Sequence, residues 1–233
     1  MPAANLDLLL TPIRSILDLG GPVVAILLGV SVVSLAVILL KLFQFWHGHV
    51  GRRGRAEQAV ALWSSGRPRE AETLAVAGRS AAAQAVAMAI RLTRQNALTK
   101  PQIEEEISRF ATDRLHTLQG GFRLLDTVAQ LAPLLGLFGT VLGMIEAFQK
   151  LQEAGNAVDP SLLAGGIWVA LLTTAVGLGV AMPVSLVLTW LESRLESERV
   201  AIQTLASAVL SPLAYGSAET SMPEADMESV LAH

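Results

Sequence analysis

Hydroxyl and carboxyl side chains occur inside two otherwise apolar stretches of this sequence, residues 132–148 and residues 161–191. A hydroxyl both donates and accepts hydrogen bonds, so it can hold water or a protonated carboxyl group in a dry environment. A carboxyl group within an apolar span is costly, which makes it a candidate functional group by default. These polar residues are Thr140 and Glu146 in the first stretch and Thr173 and Thr174 in the second.

Small residues recur at every third or fourth position of both stretches. In lipid, faces of small residues let two helices approach closely, and threonine hydroxyls supply hydrogen bonds between them. Two interpretations are open: tight packing with each threonine bonded to the carbonyl four residues back, or a narrow polar seam lined by the threonines. The glycines predicted to pack are Gly136, Gly139, Gly143, Gly166 and Gly177.

Two carboxylates lie toward opposite ends of the first stretch, Glu146 within it and Asp126 before it, and their expected roles differ. Glu146 lies near its outer end, three residues before Gln149, so it either serves the seam or simply reaches water. Asp126 lies at the opposite end, where an interfacial position is expected.

The composition excludes several other kinds of chemistry. Of 233 residues, 52% are hydrophobic and 16% are charged, with a mean hydropathy of +0.50, which is more apolar than a soluble domain. There is no cysteine, so disulfides and thiolate chemistry are excluded, and a net charge of −3 does not favour nucleic acid. The histidines, His47, His49, His116 and His233, form no ligand set, so no metal site is expected. The sequence also shows no nucleophile with a matching base and no Gly-rich phosphate loop, so neither an enzymatic activity nor a cofactor is expected.

Three segments are long and apolar enough to cross a membrane. Val23–Phe45 would be about 34 Å long as a helix, enough for a hydrocarbon core of about 30 Å, with Lys41 extending to the interface. The expected fold is an all-α integral membrane protein. Its predicted parts are an N-terminal segment (1–21), span 1 (22–46), a helical domain (47–125), span 2 (126–149), a short loop (150–160), span 3 (161–191), a helix (192–212) and a disordered acidic tail (213–233).

The distribution of positive charge predicts the orientation in the membrane. Twelve of the 17 Lys and Arg residues lie between Trp46 and Asp126, and three of them, Arg52, Arg53 and Arg55, directly follow span 1. Because cytoplasmic loops are enriched in Lys and Arg, the domain at 47–125 is expected in the cytoplasm. The N-terminus would then lie outside, in the periplasm if the cell is Gram-negative, and the C-terminus would be cytoplasmic.

Two motifs in these spans resemble a known family. Ala-Pro-Leu-Leu-Gly-Leu-Phe-Gly-Thr-Val-Leu-Gly-Met-Ile (132–145) is similar to the second-span signature of the MotA/TolQ/ExbB proton-channel family. Gly-Gly-Ile-Trp-Val-Ala-Leu-Leu-Thr-Thr-Ala-Val-Gly-Leu-Gly-Val-Ala-Met-Pro (165–183) is similar to its third-span signature. Three spans and the Lys-Leu-Phe-Gln-Phe-Trp after span 1 look most like the ExbB-type branch.

The resemblance implies a proton-driven motor. Such proteins form a ring, typically a pentamer, around two copies of a single-span partner similar to ExbD or TolR, whose membrane aspartate is protonated and released. Proton flow then drives a periplasm-spanning protein similar to TonB or TolA, as in energised outer-membrane uptake. Thr140 and Thr174 match the family's pore threonines, with Thr173 beside them. Protons would be the coupling ion.

One position departs from the family pattern. Many ExbB- and TolQ-like members have a glutamate five residues before the third-span threonine, and Val169 stands there in this chain. Three explanations are open: the partner's aspartate suffices with the threonine ring, Glu146 partly substitutes, or the protein is a non-conducting scaffold. A TolQ-like role in envelope integrity and cell division is the other alternative.

Overall fold

All regular secondary structure is helical in the residues that the computed structural model describes, which are 3–48, 50–153 and 160–211, with side chains from residue 21 onward except at 162. The helices are α1 (Ala3–His47), α2 (Gly54–Ser64), α3 (Pro68–Val76), α4 (Ala81–Gln95), α5 (Lys100–Gln119), α6 (Phe122–Glu153) and α7 (Pro160–Leu210). The predicted acidic tail and most of the predicted loop at 150–160 lie outside the described residues.

Three of these helices contain a segment long and apolar enough to span a membrane, which confirms the predicted number of spans. The segments are Gly21–His47, Phe122–Glu153 and Leu163–Leu210. α1 begins well before its span, and Gly21, with a φ of 64°, separates the two parts. A second glycine with positive φ, Gly121 at 85°, separates α5 from α6.

The chain divides into two compact units. The first comprises Met1–Leu42 and Gly120–Leu191, and the second comprises Phe43–Gln119 and Glu192–His233. The first unit therefore holds the apolar parts of α1, α6 and α7. The second holds α2 to α5 with the C-terminal part of α7.

Lys41, in the first unit, packs against its neighbours within the protein. Its residue is only 9% exposed, and its Nζ lies 5.9 Å from the centroid of the Phe122 ring. A Cβ atom at Gly121 would lie 3.3 Å from Lys41 Cε. The lysine therefore packs against the turn at the start of α6, where a cation and an aromatic face attract each other.

The second unit has a core built mainly from alanines. Ala82, Ala85 and Ala89 on α4 are fully buried, and they pack in one cluster with residues of α2, α3, α5 and α7. Short side chains bring helix backbones close together, so polar groups at helix ends can be reached from a neighbouring helix. At the edge of this core, the indole Nε1 of Trp63 donates to the carbonyl of Val209 at 3.0 Å.

Glu198 is the most unusual residue of this unit because its carboxylate is completely buried, with 0% exposure. Its Oε2 accepts from the N–H of Gly51 at 2.8 Å, and its Oε1 accepts from the N–H of Ala82 at 3.1 Å. Ala82 is in the first turn of α4, where backbone N–H groups lack intrahelical partners and favour a negative charge. One carboxylate therefore ties the segment after α1 and the N-terminus of α4 to α7.

The tie has two further supports. Gly51 has a φ of 85°, a conformation that side-chain-bearing residues rarely adopt, and this turn presents its N–H to Glu198. The guanidinium of Arg53 donates to the carbonyl of Ser197, the residue before Glu198.

Replacing Glu198 with glutamine is expected to loosen this tie. The amide NH2 of glutamine would face one of the two backbone N–H groups, and that N–H group would be buried without an acceptor. The expected cost is about 2 kcal/mol, which raises the equilibrium constant for local opening by roughly 30-fold. Hydrogen exchange read by mass spectrometry should show faster exchange in peptides that contain Gly51 and Ala82. The matched control is Glu196→Gln, whose side chain is 65% exposed and pairs only loosely with Arg199 at 3.8 Å. Equal exchange in both variants would contradict the assignment.

Candidate functional site

The site is built on a contact between the backbones of α6 and α7. A Cβ atom at Gly177 would lie 2.6 Å from the carbonyl oxygen of Ala132, and one at Gly136 would lie 2.9 Å from the carbonyl oxygen of Thr173. Real Cβ atoms do not approach so closely, so both positions require glycine. The contact continues at Gly143, where an added Cβ atom would lie 3.0 Å from the Cβ atom of Ala170. Facing residue numbers rise along α6 as they fall along α7, so the helices are antiparallel.

The two threonines of α7 bond across this contact. The hydroxyl of Thr173, which is 3% exposed, shares its one proton between the Ala170 carbonyl at 2.7 Å and the Gly136 carbonyl at 3.1 Å. The hydroxyl of Thr174 reaches the same Gly136 carbonyl at 3.2 Å. One carbonyl of α6 therefore accepts from both threonines. The sequence does not reveal this acceptor, because every residue has a backbone carbonyl and only the packing of the helices decides which one a hydroxyl reaches.

Thr140 makes only a local bond. Its hydroxyl donates to the Leu137 carbonyl three residues back at 2.6 Å, and its side chain is partly exposed. This local bond agrees with the interpretation of tight packing, except that the accepting carbonyl is three residues back and not four. Thr173 and Thr174 bond to a carbonyl of the other helix, which is a packing contact as well, and the seam lined by the threonines stays a prediction.

Thr140 and Thr174 nevertheless lie on the same side of the helix pair. Successive residues of an α-helix are turned by about 100°. In an antiparallel pair, the residue that follows a contact residue projects to the same side on both helices. Thr140 follows Gly139, which faces Thr173, and Thr174 follows Thr173. The two hydroxyls thus border one common side, which we call the threonine side.

Glu146 and Val169 do not join this side. Glu146 precedes the contact residue Ala147, and Val169 precedes the contact residue Ala170, so both project to the opposite side of the pair. The side chain of Glu146 is 66% exposed, and its Oε1 lies 2.7 Å from the Nζ of Lys150, one turn further along α6. Val169 is half-buried.

The arrangement places two hydroxyl groups where they can take part in hydrogen bonds on one side of the helix pair. Hydroxyls on the threonine side can relay hydrogen bonds to water or to a carboxyl group of another chain. Among the described residues no group of three His, Asp or Glu side chains could hold a metal ion.

The backbone contact makes a sharp prediction for two glycines of α7. Gly177→Ala should force α6 and α7 apart at a cost of about 1–3 kcal/mol, the usual range for overpacking. Gly179→Ala is the matched control, because a Cβ atom there would meet nothing within 4 Å. Thermal unfolding of the purified protein should show a lower Tm for the first variant and an unchanged or slightly higher Tm for the second. A Tm for Gly177→Ala at or above that of the wild type would refute the close contact.

The chain is similar to known proteins in the region that carries this site. The sequence model of the MotA/TolQ/ExbB proton channel family matches residues 76–204. The chain is 32% identical to the biopolymer transport protein exbB1 of Vibrio cholerae over 152 residues, which are 64% of this chain and 67% of that protein.

Two other relatives match over shorter regions, about a third of their own length. The biopolymer transport protein ExbB of Xanthomonas campestris is 40% identical over 37% of this chain and 34% of its own length. The Tol-Pal system protein TolQ of Haemophilus influenzae is 42% identical over 30% of each chain. Since the family match covers more than half of the residues, the chain belongs to the MotA/TolQ/ExbB proton channel family.

Proposed function

We propose that this protein is an ExbB-like subunit of a proton-driven motor in the bacterial inner membrane. Copies of the chain form a ring around a single-span partner similar to ExbD, and protons pass between the ring and the partner's membrane aspartate. The resulting movement energises a periplasm-spanning protein similar to TonB. The position of Thr140 and Thr174 on one side of the α6–α7 pair carries the proposal, because a conducting path needs polar groups on a shared face.

The proposed role uses the rigidity of the helix pair. The glycine contact fixes the distance between α6 and α7, and the shared Gly136 carbonyl fixes the two threonines of α7. The hydroxyls therefore meet the partner's carboxyl group with little reorganisation. Because the residues on the contact face are small, α6 and α7 lie close together, and a partner helix can approach both threonines at once on the threonine side.

The ExbB-like role is favoured over a TolQ-like role by the extent of similarity. The match to the Vibrio protein covers 64% of this chain, against 30% for the Haemophilus TolQ. The orientation with the second unit in the cytoplasm rests on the arginines after span 1.

Proton flux into liposomes that contain the protein with its single-span partner tests the function. Thr174→Val keeps the side-chain shape but removes the hydroxyl, and flux should fall by about tenfold or more, as when a positioned proton-transfer group is lost. Thr174→Ser should restore most of it. The matched control is Thr117→Val in α5, where an exposed hydroxyl bonds only to the Asp113 carbonyl at 3.0 Å.

The same assay separates the motor from a scaffold. Val169 supports the scaffold alternative, because a carboxylate common in related proteins is absent at that position. If the wild-type complex conducts no protons and Val169→Glu restores flux, the protein is a scaffold. If the wild type conducts and Thr174→Val conducts equally well, the threonine path is refuted.

A further inference from the structure

The threonine side continues toward the cytoplasmic end of the helix pair as a polar surface. Asp126 follows Leu125, which is 0% exposed, and Ser185 follows Val184, which is 3% exposed. Both buried residues continue the three-to-four-residue period of the contact face, Leu125 on α6 and Val184 on α7. Asp126 and Ser185 therefore project to the threonine side, as Thr140 and Thr174 do.

Two further polar residues extend this surface. Gln130 lies one turn from Asp126 on α6, and Thr189 lies one turn from Ser185 on α7. All four side chains are exposed. We call Asp126, Gln130, Ser185 and Thr189 the vestibule face. At ~1.5 Å per residue, Ser185 lies about 16 Å from Thr174 along α7, well inside the uncharged stretch 161–191.

At the same depth, the side of α7 turned away from this face is apolar. Leu186 follows Ser185 and is 73% exposed, and Trp190 follows Thr189 and is 46% exposed. If these polar residues only reflected a position at the membrane interface, they would be expected on all sides of the helix. On α7, the restriction of these polar residues to the threonine side indicates that water, not lipid, contacts that side.

The backbone supplies another polar group on α6. Pro133 has no N–H, so the carbonyl of Ala129 has no intrahelical donor four residues ahead. Within a membrane, such a carbonyl is tolerated where a neighbouring group or water can reach it. The hydrogen bond from Gln130 Nε2 to Asp126 Oδ1, at 2.8 Å, holds the carboxylate along the same helix.

We propose that the vestibule face lines a water-filled cytoplasmic vestibule of the proton path and that Asp126 is the acceptor within it. A proton arriving in vestibule water protonates the Asp126 carboxylate, and the carboxylic acid then releases it to cytoplasmic water. Leu137 and Leu178 follow Gly136 and Gly177, so they form an apolar boundary between the vestibule and the threonines. Such apolar constrictions control hydration in channels. This assignment rests on the proposed proton-conducting function.

Single cysteines test the vestibule without any measurement of flux. The chain has no cysteine, so each variant carries one thiol. A membrane-impermeant maleimide applied from the cytoplasmic side should modify Ser185→Cys at least about tenfold faster than Leu186→Cys, because the reactive thiolate forms in water. Equal rates for these two neighbouring positions would overturn the vestibule.

Proton flux tests the role of Asp126. In the reconstituted complex, Asp126→Asn keeps the shape and should lower flux by roughly tenfold or more, while Asp126→Glu should retain most of it. Asp113→Asn, on α5, is the control and should conduct as the wild type does. Wild-type flux in Asp126→Asn would overturn the acceptor role. A wild-type complex that conducts no protons would instead refute the proposed function, and the labelling comparison would still decide whether the vestibule exists.

Discussion

The approach of the α6 and α7 backbones is the constraint on which the candidate site depends. At Gly136 and Gly177 the two main chains touch directly, leaving no room for a single carbon on either side. Helix association in lipid gains little from the hydrophobic effect and relies on such close packing and on interhelical hydrogen bonds. The contact also decides which residues lie on the threonine side, because a rotation of either helix would carry Thr140 or Thr174 away from it.

Much of this architecture follows from the sequence. The three spans are evident because each needs about 20 apolar residues to cross the hydrocarbon core. The glycine faces are also visible, since their spacing matches the helical period. The hydrogen-bond partners are not visible in the sequence. It shows that Thr173 and Thr174 have hydroxyls, but not that both reach the carbonyl of Gly136.

The polar residues outside the apolar motifs have directions that the sequence does not determine. Glu146 attracts attention as a carboxylate in a span, yet it faces away from the threonine side and pairs with Lys150. Asp126 resembles an ordinary interfacial residue until the register of α6 and α7 places it on the threonine side. Lys41 has the spacing of an interfacial anchor, but it packs against the Gly121 turn and the Phe122 ring. In each case the decisive fact is the direction of a side chain, which depends on tertiary packing.

The contacts of Glu198 are of a kind that correlated substitutions between related sequences do not show. Both of its donors are main-chain N–H groups, those of Gly51 and Ala82, and every residue except proline supplies such a group. No exchange of side chains at positions 51 and 82 can therefore compensate for the loss of the carboxylate. A search for correlated substitutions among related sequences would pass over this contact, although it joins segments 147 and 116 residues apart in the chain.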